Sequence, residues 1–230
     1  MVGVGDRGSG AGVSAILLAA GKGERVGGIG KASLPSVKGR SLLEDDIDRL
    51  RNMTDEIIVG FDPAKTLPTA LSNDPGIVFT KGGATRLETL GNALGAATGQ
   101  IVLVWDVARP WVAMETVREL LVAAREYGAA MPVLRFVTRE SLGVGKDGFL
   151  MGVFPRDGLF LSQTPQAYRS AILKDALEQA RSRNSQDISV HSLVREAGYP
   201  VRLVEGTHDN VKLTFPDDLQ RYLKWLRLES

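Results

Sequence analysis

Cysteine is absent from the 230 residues, which removes disulfides, thiolate metal sites and a cysteine nucleophile together. Histidine is scarce. His191 and His208 are the only two, too few for a multi-histidine metal centre. Neither stands in a catalytic partner pattern, and both are read as surface or core residues. No sign of charge is in excess: 28 Lys and Arg face 27 Asp and Glu, a formal net charge of +1. No global basic field therefore points to nucleic acid, and any attraction for an anion has to be local. No apolar run reaches the length that spans a bilayer. The glycine-rich residues 1–12 lack the apolar core of a secretory signal. The expectation is a cytoplasmic protein with neither a nucleic-acid nor a membrane partner.

What is present is an ordinary globular balance, 43% hydrophobic and 24% charged. Residues 1–12 read as a disordered leader. Their Gly3-x-Gly5-x-x-Gly8 pattern follows no strand, so it carries no functional weight. Residues 13–230 read as one domain. Short apolar runs predict strands at Val13–Leu18, Glu56–Gly60, Ile77–Thr80, Ile101–Trp105, Ala129–Leu134 and Val201–Val204. Amphipathic runs predict helices at Leu42–Met53, Thr85–Ala97, Met114–Tyr127, Ala167–Ser182, Ile188–Ala197 and Pro216–Leu228. This alternation argues for an α/β fold, a mostly parallel twisted sheet with helices on both faces. Residues 135–161 break the rhythm. Glycines and alternating Phe149, Met151 and Val153 predict a protruding β-hairpin arm suited to pairing with a second subunit.

Four segments carry candidate chemistry. After the first strand, Ala19-Ala20-Gly21-Lys22-Gly23-Glu24-Arg25 is small and basic, with Lys31 soon after. Small residues let a backbone approach a ligand, and its N–H groups can cradle phosphate while cations neutralise it. Asp106 ends the fourth predicted strand and opens Asp106-Val107-Ala108-Arg109-Pro110. That is the ligand edge of an open sheet, where a carboxylate can hold Mg²⁺ or cap a turn. Arg109 can meet an anion or pair with Asp106. Asp209-Asn210-Val211-Lys212 adds a second carboxylate and a cation. Asp209 is a candidate to share the metal with Asp106, and Lys212 to reach a phosphate. Lys81 to Thr89 starts a helix whose N–H groups near Ala84 and Thr85 can grip a base or phosphate. Gln163-Thr164-Pro165-Gln166 reads as a cap and turn.

Taken in order, Ala19-Ala20-Gly21-x-Gly23-x-Arg25 with Lys31, Gly82-Gly83-x-x-Arg86, Asp106-x-Ala108-Arg109-Pro110, Gln163-Thr164-Pro165-Gln166 and Asp209-Asn210-x-Lys212-x-Thr214 run through residues 13–228. Together they resemble the 2-C-methyl-D-erythritol 4-phosphate cytidylyltransferase family. The resemblance implies a Rossmann-like nucleotidyltransferase fold, a homodimer built through the arm, and Mg²⁺ as cofactor. The implied reaction joins CTP and a polyol phosphate into a CDP-polyol and pyrophosphate. It implies Arg25, Lys31 and Lys212 as catalytic cations. The nucleotide would lie against Ala19, Ala20, Gly21, Gly23, Gly82, Thr89 and Asp106. Arg109 would serve the polyol phosphate, and Arg156 would be lent to the partner subunit's site.

The departures cluster. Gly30-Lys31-Ala32 stands where the family has Pro-Lys-Gln, and Trp105 replaces a histidine. Ala84 replaces an acidic or polar residue, and Thr89 a serine. Arg135-Phe136 aligns with an Asp-Thr of the polyol site, and Ser185-Gln186-Asp187 with a Thr-Asp-Asp. Three readings stay open: an enzyme acting on methylerythritol phosphate, a paralogue acting on another acceptor such as a pentitol phosphate, and a non-catalytic nucleotide-binding scaffold. Retention of Arg25, Lys31, Asp106 and Lys212 argues against the last.

Overall fold

Neighbouring side chains in the first strand, β1 (Val13–Leu18), enter two different apolar layers. Val13, Ala15 and Leu17 pack into one, and Ile16 into the other. That period of two is what a strand covered on both faces requires. The computed structural model describes residues 12–21, 30–37, 39–62, 71, 74–135, 141–183 and 189–229. The predicted leader, apart from Gly12, lies outside them, as do Gly23, Arg25, Phe136 and Ser185 to Asp187.

The first layer receives α1 (Leu42–Leu50), α3 (Met114–Tyr127) and α6 (Pro216–Glu229). The second receives α2 (Arg86–Ala96), α4 (Ser170–Ser182) and α5 (Val190–Glu196). Local chemistry sets several ends. Ser41 and Glu44 form a reciprocal capping box on α1. Gly128, at φ 91°, closes α3 in the left-handed conformation that glycine adopts freely. The α1 prediction ran too far, because Arg51 to Met53 form a turn, although Met53 still packs against the first layer.

Between the helical layers, the sheet runs β10 (Arg202–Glu205), β5 (Ala129–Arg135), β9 (Gln166–Arg169), β4 (Ile101–Asp106), β1, β2 (Glu56–Phe61) and β3 (Ile77–Lys81). The pairs β3–β2, β2–β1, β1–β4 and β10–β5 are parallel. The mostly parallel expectation holds with two exceptions, β9 and the short β8 (Phe160–Ser162), which pairs antiparallel with β5. Strand β9 runs antiparallel between β4 and β5.

That strand corrects the predicted helix Ala167–Ser182. Ala167 enters one apolar layer and Tyr168 the other, so the period is two until Ser170. The helical spacing of Leu173, Ala176, Leu177 and Ala180 begins only after it. The excursion before β9 contains β6 (Leu142–Lys146) and β7 (Phe149–Phe154), which form a hairpin. Its turn, Asp147-Gly148, has positive φ at both residues, matching the twist of two antiparallel strands. Every residue of β7 is exposed, including Phe149, Leu150, Met151 and Val153. The chain then returns through β8 (Phe160–Ser162), antiparallel to β5. Among the described residues no helix is long and apolar enough to cross a membrane.

Candidate active site

Asp106 ends β4 at the carboxyl edge of the sheet and is buried. Two cations reach its carboxylate: Arg86 Nη2 lies 2.9 Å from Oδ1, and Lys212 Nζ lies 2.8 Å from Oδ2. The Thr164 hydroxyl donates to Oδ2 at 3.1 Å. Burial alone would raise the carboxyl pKa. Arg86 and Lys212 outweigh it and hold the group well below the usual carboxylate range. Asp106 is therefore a fixed negative charge.

Arg109, also buried, donates through Nε to Thr164 Oγ1 at 2.9 Å and through Nη1 to the Asn210 carbonyl at 2.5 Å. Burial lowers its pKa; Asp106 opposes that shift and Arg86 adds to it. The ordinary arginine pKa is so high that the group stays cationic. Thr164 thus links Arg109 to Asp106. Asn210 fixes this segment in turn, donating to the Thr164 carbonyl at 2.9 Å. Gln163 donates to the carbonyls of Thr207 and Asn210.

Arg86, Asp106, Arg109, Gln163, Thr164 and Lys212 line an open cavity of about 340 Å³ together with Gln166, Ser189 and His191. It brings together the predicted Asp106, Arg109 and Lys212, whose positions span more than a hundred residues of chain. Arg86, Thr164, Gln166 and His191 are lining residues that reading residue types alone did not assign to the site. Arg86 and Thr164 lay inside quoted motifs, and only the folded registry reveals that both face Asp106. His191, read as a surface or core residue, is half-buried in the cavity wall. Its only sequence signal was its scarcity.

Other candidates lie elsewhere. Ala19 is buried at the end of β1, its N–H donating to the Gly60 carbonyl at 2.9 Å. Ala20 and Gly82 touch: a Cβ on Gly82 would meet that of Ala20 at 2.5 Å, so only glycine allows the β1 and β3 loops to come so close. Gly21 is exposed. Thr89 is buried, and its hydroxyl accepts from the Gly83 N–H and donates to the Thr85 carbonyl. Glu88 occupies the Ala84 N–H at 2.6 Å. The expectation is corrected at Ala84 alone: loop side chains take the Gly83 and Ala84 N–H groups, whereas Thr85, Arg86 and Leu87 at the start of α2 line the cavity. Lys31 opens a short 3-10 turn outside the cavity lining, and Arg156 is exposed beyond β7.

Behind Asp106, Trp105 is fully buried and its indole N–H donates to Asp46 at 2.9 Å. Arg49 reaches Asp46, the Trp105 ring face and the carbonyls of Pro110 and Val112. This network pins the loop that carries Arg109.

The expected metal pair is Asp106 with Asp209. Asp209 lines a separate cavity with Trp111, His208 and Trp225, whereas Asp106 lines the first. Among the described residues no group of three His, Asp or Glu side chains converges as a metal site. A divalent ion that takes most of its ligands from phosphates and water needs only one or two carboxylates, and Asp106 alone satisfies that.

The model of the IspD family, described as 2-C-methyl-D-erythritol 4-phosphate cytidylyltransferase, matches residues 13–227. A protein of that name from Thermus thermophilus is 39% identical over 211 residues, covering 90% of this chain and 93% of the relative. The crystal structure of the enzyme from the same species superposes with a TM-score of 0.76 at 36% identity, over 92% of this chain and 98% of that one. The Francisella tularensis structure gives 0.77 at 26% identity, over 94% and 100%. With the same motifs in the same order, and with Asp106, Arg109 and Lys212 gathered at the sheet edge, the chain belongs to the 2-C-methyl-D-erythritol 4-phosphate cytidylyltransferase family.

Proposed function

We propose that this chain transfers the cytidylyl group of CTP to 2-C-methyl-D-erythritol 4-phosphate and releases pyrophosphate, a step of isoprenoid precursor synthesis. The observation that carries this reading is the cluster of Arg86, Arg109 and Lys212 around a single carboxylate, Asp106, in one cavity. Three cations against one anion leave the cavity net positive and suited to phosphates. In the reaction an acceptor phosphate oxygen bonds to the α-phosphorus of CTP. The bridging P–O bond to the β-phosphorus breaks, and its electron pair leaves with pyrophosphate. No covalent enzyme intermediate is needed. Positioning and charge neutralisation supply most of the catalysis in such transfers.

Lys212 is held by Asp106 at the cavity wall, ready to meet that charge. Lys31 and Arg25 are assigned the same task on the nucleotide side. The touching loops at Ala20 and Gly82 form the close backbone approach for the nucleotide. Mg²⁺ would be held by Asp106 and the triphosphate oxygens, where it would neutralise phosphate charge. The exposed apolar strand β7 supports a homodimer, with Arg156 serving the partner subunit's acceptor phosphate. Water-soluble charged substrates suit the cytoplasm.

Pyrophosphate release from CTP, measured against a panel of acceptor phosphates, tests the reading. The expected result is turnover with methylerythritol phosphate. Preference for a pentitol phosphate would reassign the acceptor, and no turnover with any acceptor would reject the assignment.

A further inference from the structure

Part of the cavity wall is built by neutral groups whose proton positions are determined by one backbone carbonyl. Gln166 is buried, and its Nε2 lies 3.0 Å from the Gln163 carbonyl oxygen. A carbonyl only accepts, so the amide nitrogen must face it. The amide oxygen then accepts from the Tyr168 hydroxyl at 2.6 Å. The second hydrogen of Nε2 points to His191 Nδ1 at 3.2 Å. Nδ1 therefore accepts, and the ring proton sits on Nε2, which donates to Ser189 Oγ at 3.1 Å. Ser189 can pass its own hydrogen to Ser192 at 2.7 Å.

From the Gln163 carbonyl to Ser189 this chain of donors has one arrangement. A proton added to Nδ1 would set an N–H against the Gln166 amide hydrogens. Turning the amide over would set its oxygen against the Gln163 carbonyl. Charged His191 cannot be accommodated without breaking a contact of buried Gln166. That residue ends the segment Gln163–Gln166, which carries Thr164 between Arg109 and Asp106.

Resting on the reaction proposed above, we propose that His191 is a positioning residue for the acceptor: its neutral ring locks Gln166, and through the Gln163–Gln166 segment Thr164, so that the acceptor pocket is set only while His191 is unprotonated.

The surroundings favour the neutral ring. Burial lowers the His191 pKa, and Arg86 at the start of α2 lowers it further. Asp106, Arg109 and Lys212 share the cavity, and Asp106 is already bonded to Arg86 and Lys212. From β9 the facing titratable group is Tyr168, which burial keeps protonated. From α4, Asp175 is taken by Tyr199 and Gln179. Arg195 and Glu196, on α5 itself, are exposed.

Two measurements test the lock. The first needs no substrate. With only two histidines in the chain, a His208→Gln background leaves one imidazole for ¹⁵N NMR. The expected spectrum is the Nε2–H form, titrating below the usual histidine range, with the Gln166 side-chain amide shifting at the same midpoint. An Nδ1–H ring, or a Gln166 amide indifferent to the titration, overturns the lock.

The second measures KM for CTP and for the acceptor against pH. The acceptor phosphate itself titrates near pH 6, so the informative quantity is the wild type relative to His191→Asn, which offers a non-titrating acceptor oxygen near the Nδ1 position. As pH falls through the His191 midpoint read by NMR, the wild-type acceptor KM should rise roughly fivefold more than that of the variant, the effect of about one hydrogen bond. The ratio of the two CTP KM values should stay flat. His191→Leu should raise the acceptor KM even at neutral pH, with His191→Asn restoring it. Identical pH profiles in wild type and His191→Asn reject the proposal. Coupled NMR titration with no turnover on any acceptor would instead reject the reaction and the acceptor's part in the proposal, leaving the lock itself standing.

Discussion

At Asp106 a carboxylate is buried yet bonded to both Arg86 and Lys212, so its pKa shift has consequences for stability as well as for binding. The folded pKa lies below the unfolded one. Asp106 therefore contributes stability that is complete above the unfolded value, near pH 4, and is lost as pH falls through the lower folded value. Asp46 has the opposite sign, because burial raises its pKa well above the ordinary value. The two partly offset in the wild type, so a difference isolates Asp106. Urea unfolding between pH 3 and pH 7 should show a shallower acid loss in Asp106→Asn than in wild type, alongside lower stability at neutral pH. Equal acid slopes would contradict the ion-pair account. For Lys212→Ala, and for Lys31→Ala on the nucleotide side, loss of a cation stabilising transition-state charge should cost about 2–4 kcal/mol, roughly a hundredfold or more in turnover. Steady-state rates near wild type in both variants would remove these lysines from the chemistry. Asp106, Arg109 and Lys212 were legible in the sequence because each is a charged residue beside a strand end or within an ordered motif. Thr164 and Gln166 were not, since a hydroxyl and an amide in a turn acquire meaning only from the partners that folding supplies. That Asp209 and Asp106 line different cavities was likewise not legible from their motifs.

Most helices and strands could be placed from apolar spacing, and β1 and α3 match their predicted limits residue for residue. Strand β9 was hidden because it is four residues long and runs directly into α4, with no glycine or proline between them. A short buried strand and the first turn of a helix are equally apolar, and only the partners on either side distinguish them. The hairpin arm was legible through its alternation, and β7 exposes that alternation fully. If the arm exchanges between subunits, Arg156→Ala should raise the acceptor KM much more than the CTP KM. Mixed with Arg25→Ala, it should recover part of the activity. In a mixed dimer one site keeps its own Arg25 and receives Arg156 from the other subunit. Light scattering should give the mass of a dimer. A monomer, or no recovery in verified mixed dimers, would show that the arm does not work between subunits.

At the scale of the molecule, the sheet carries three described helices on each face, and the charged cavity lies along its carboxyl edge. Binding there should stabilise the fold as a unit. At a hundredfold excess over Kd, CTP with Mg²⁺ should add about 2.7 kcal/mol. A chain of this size should then melt roughly 5–10 °C higher. Thermal melts with and without millimolar nucleotide check this, and no shift would count against nucleotide binding. The arm bears on the same sheet in a further way. Arg135 and Phe160 are directly opposed partners on β5 and β8, so the excursion departs and rejoins on the same rung of the ladder. It is a topologically detachable loop. Replacing residues 136–159 by an Asn-Gly link, the type that closes adjacent antiparallel strands, would leave each described pairing of the main sheet in place. The fold of the core is thereby independent of the arm in the layout of the chain, and a shortened arm should leave the melting temperature of the core close to that of the full chain.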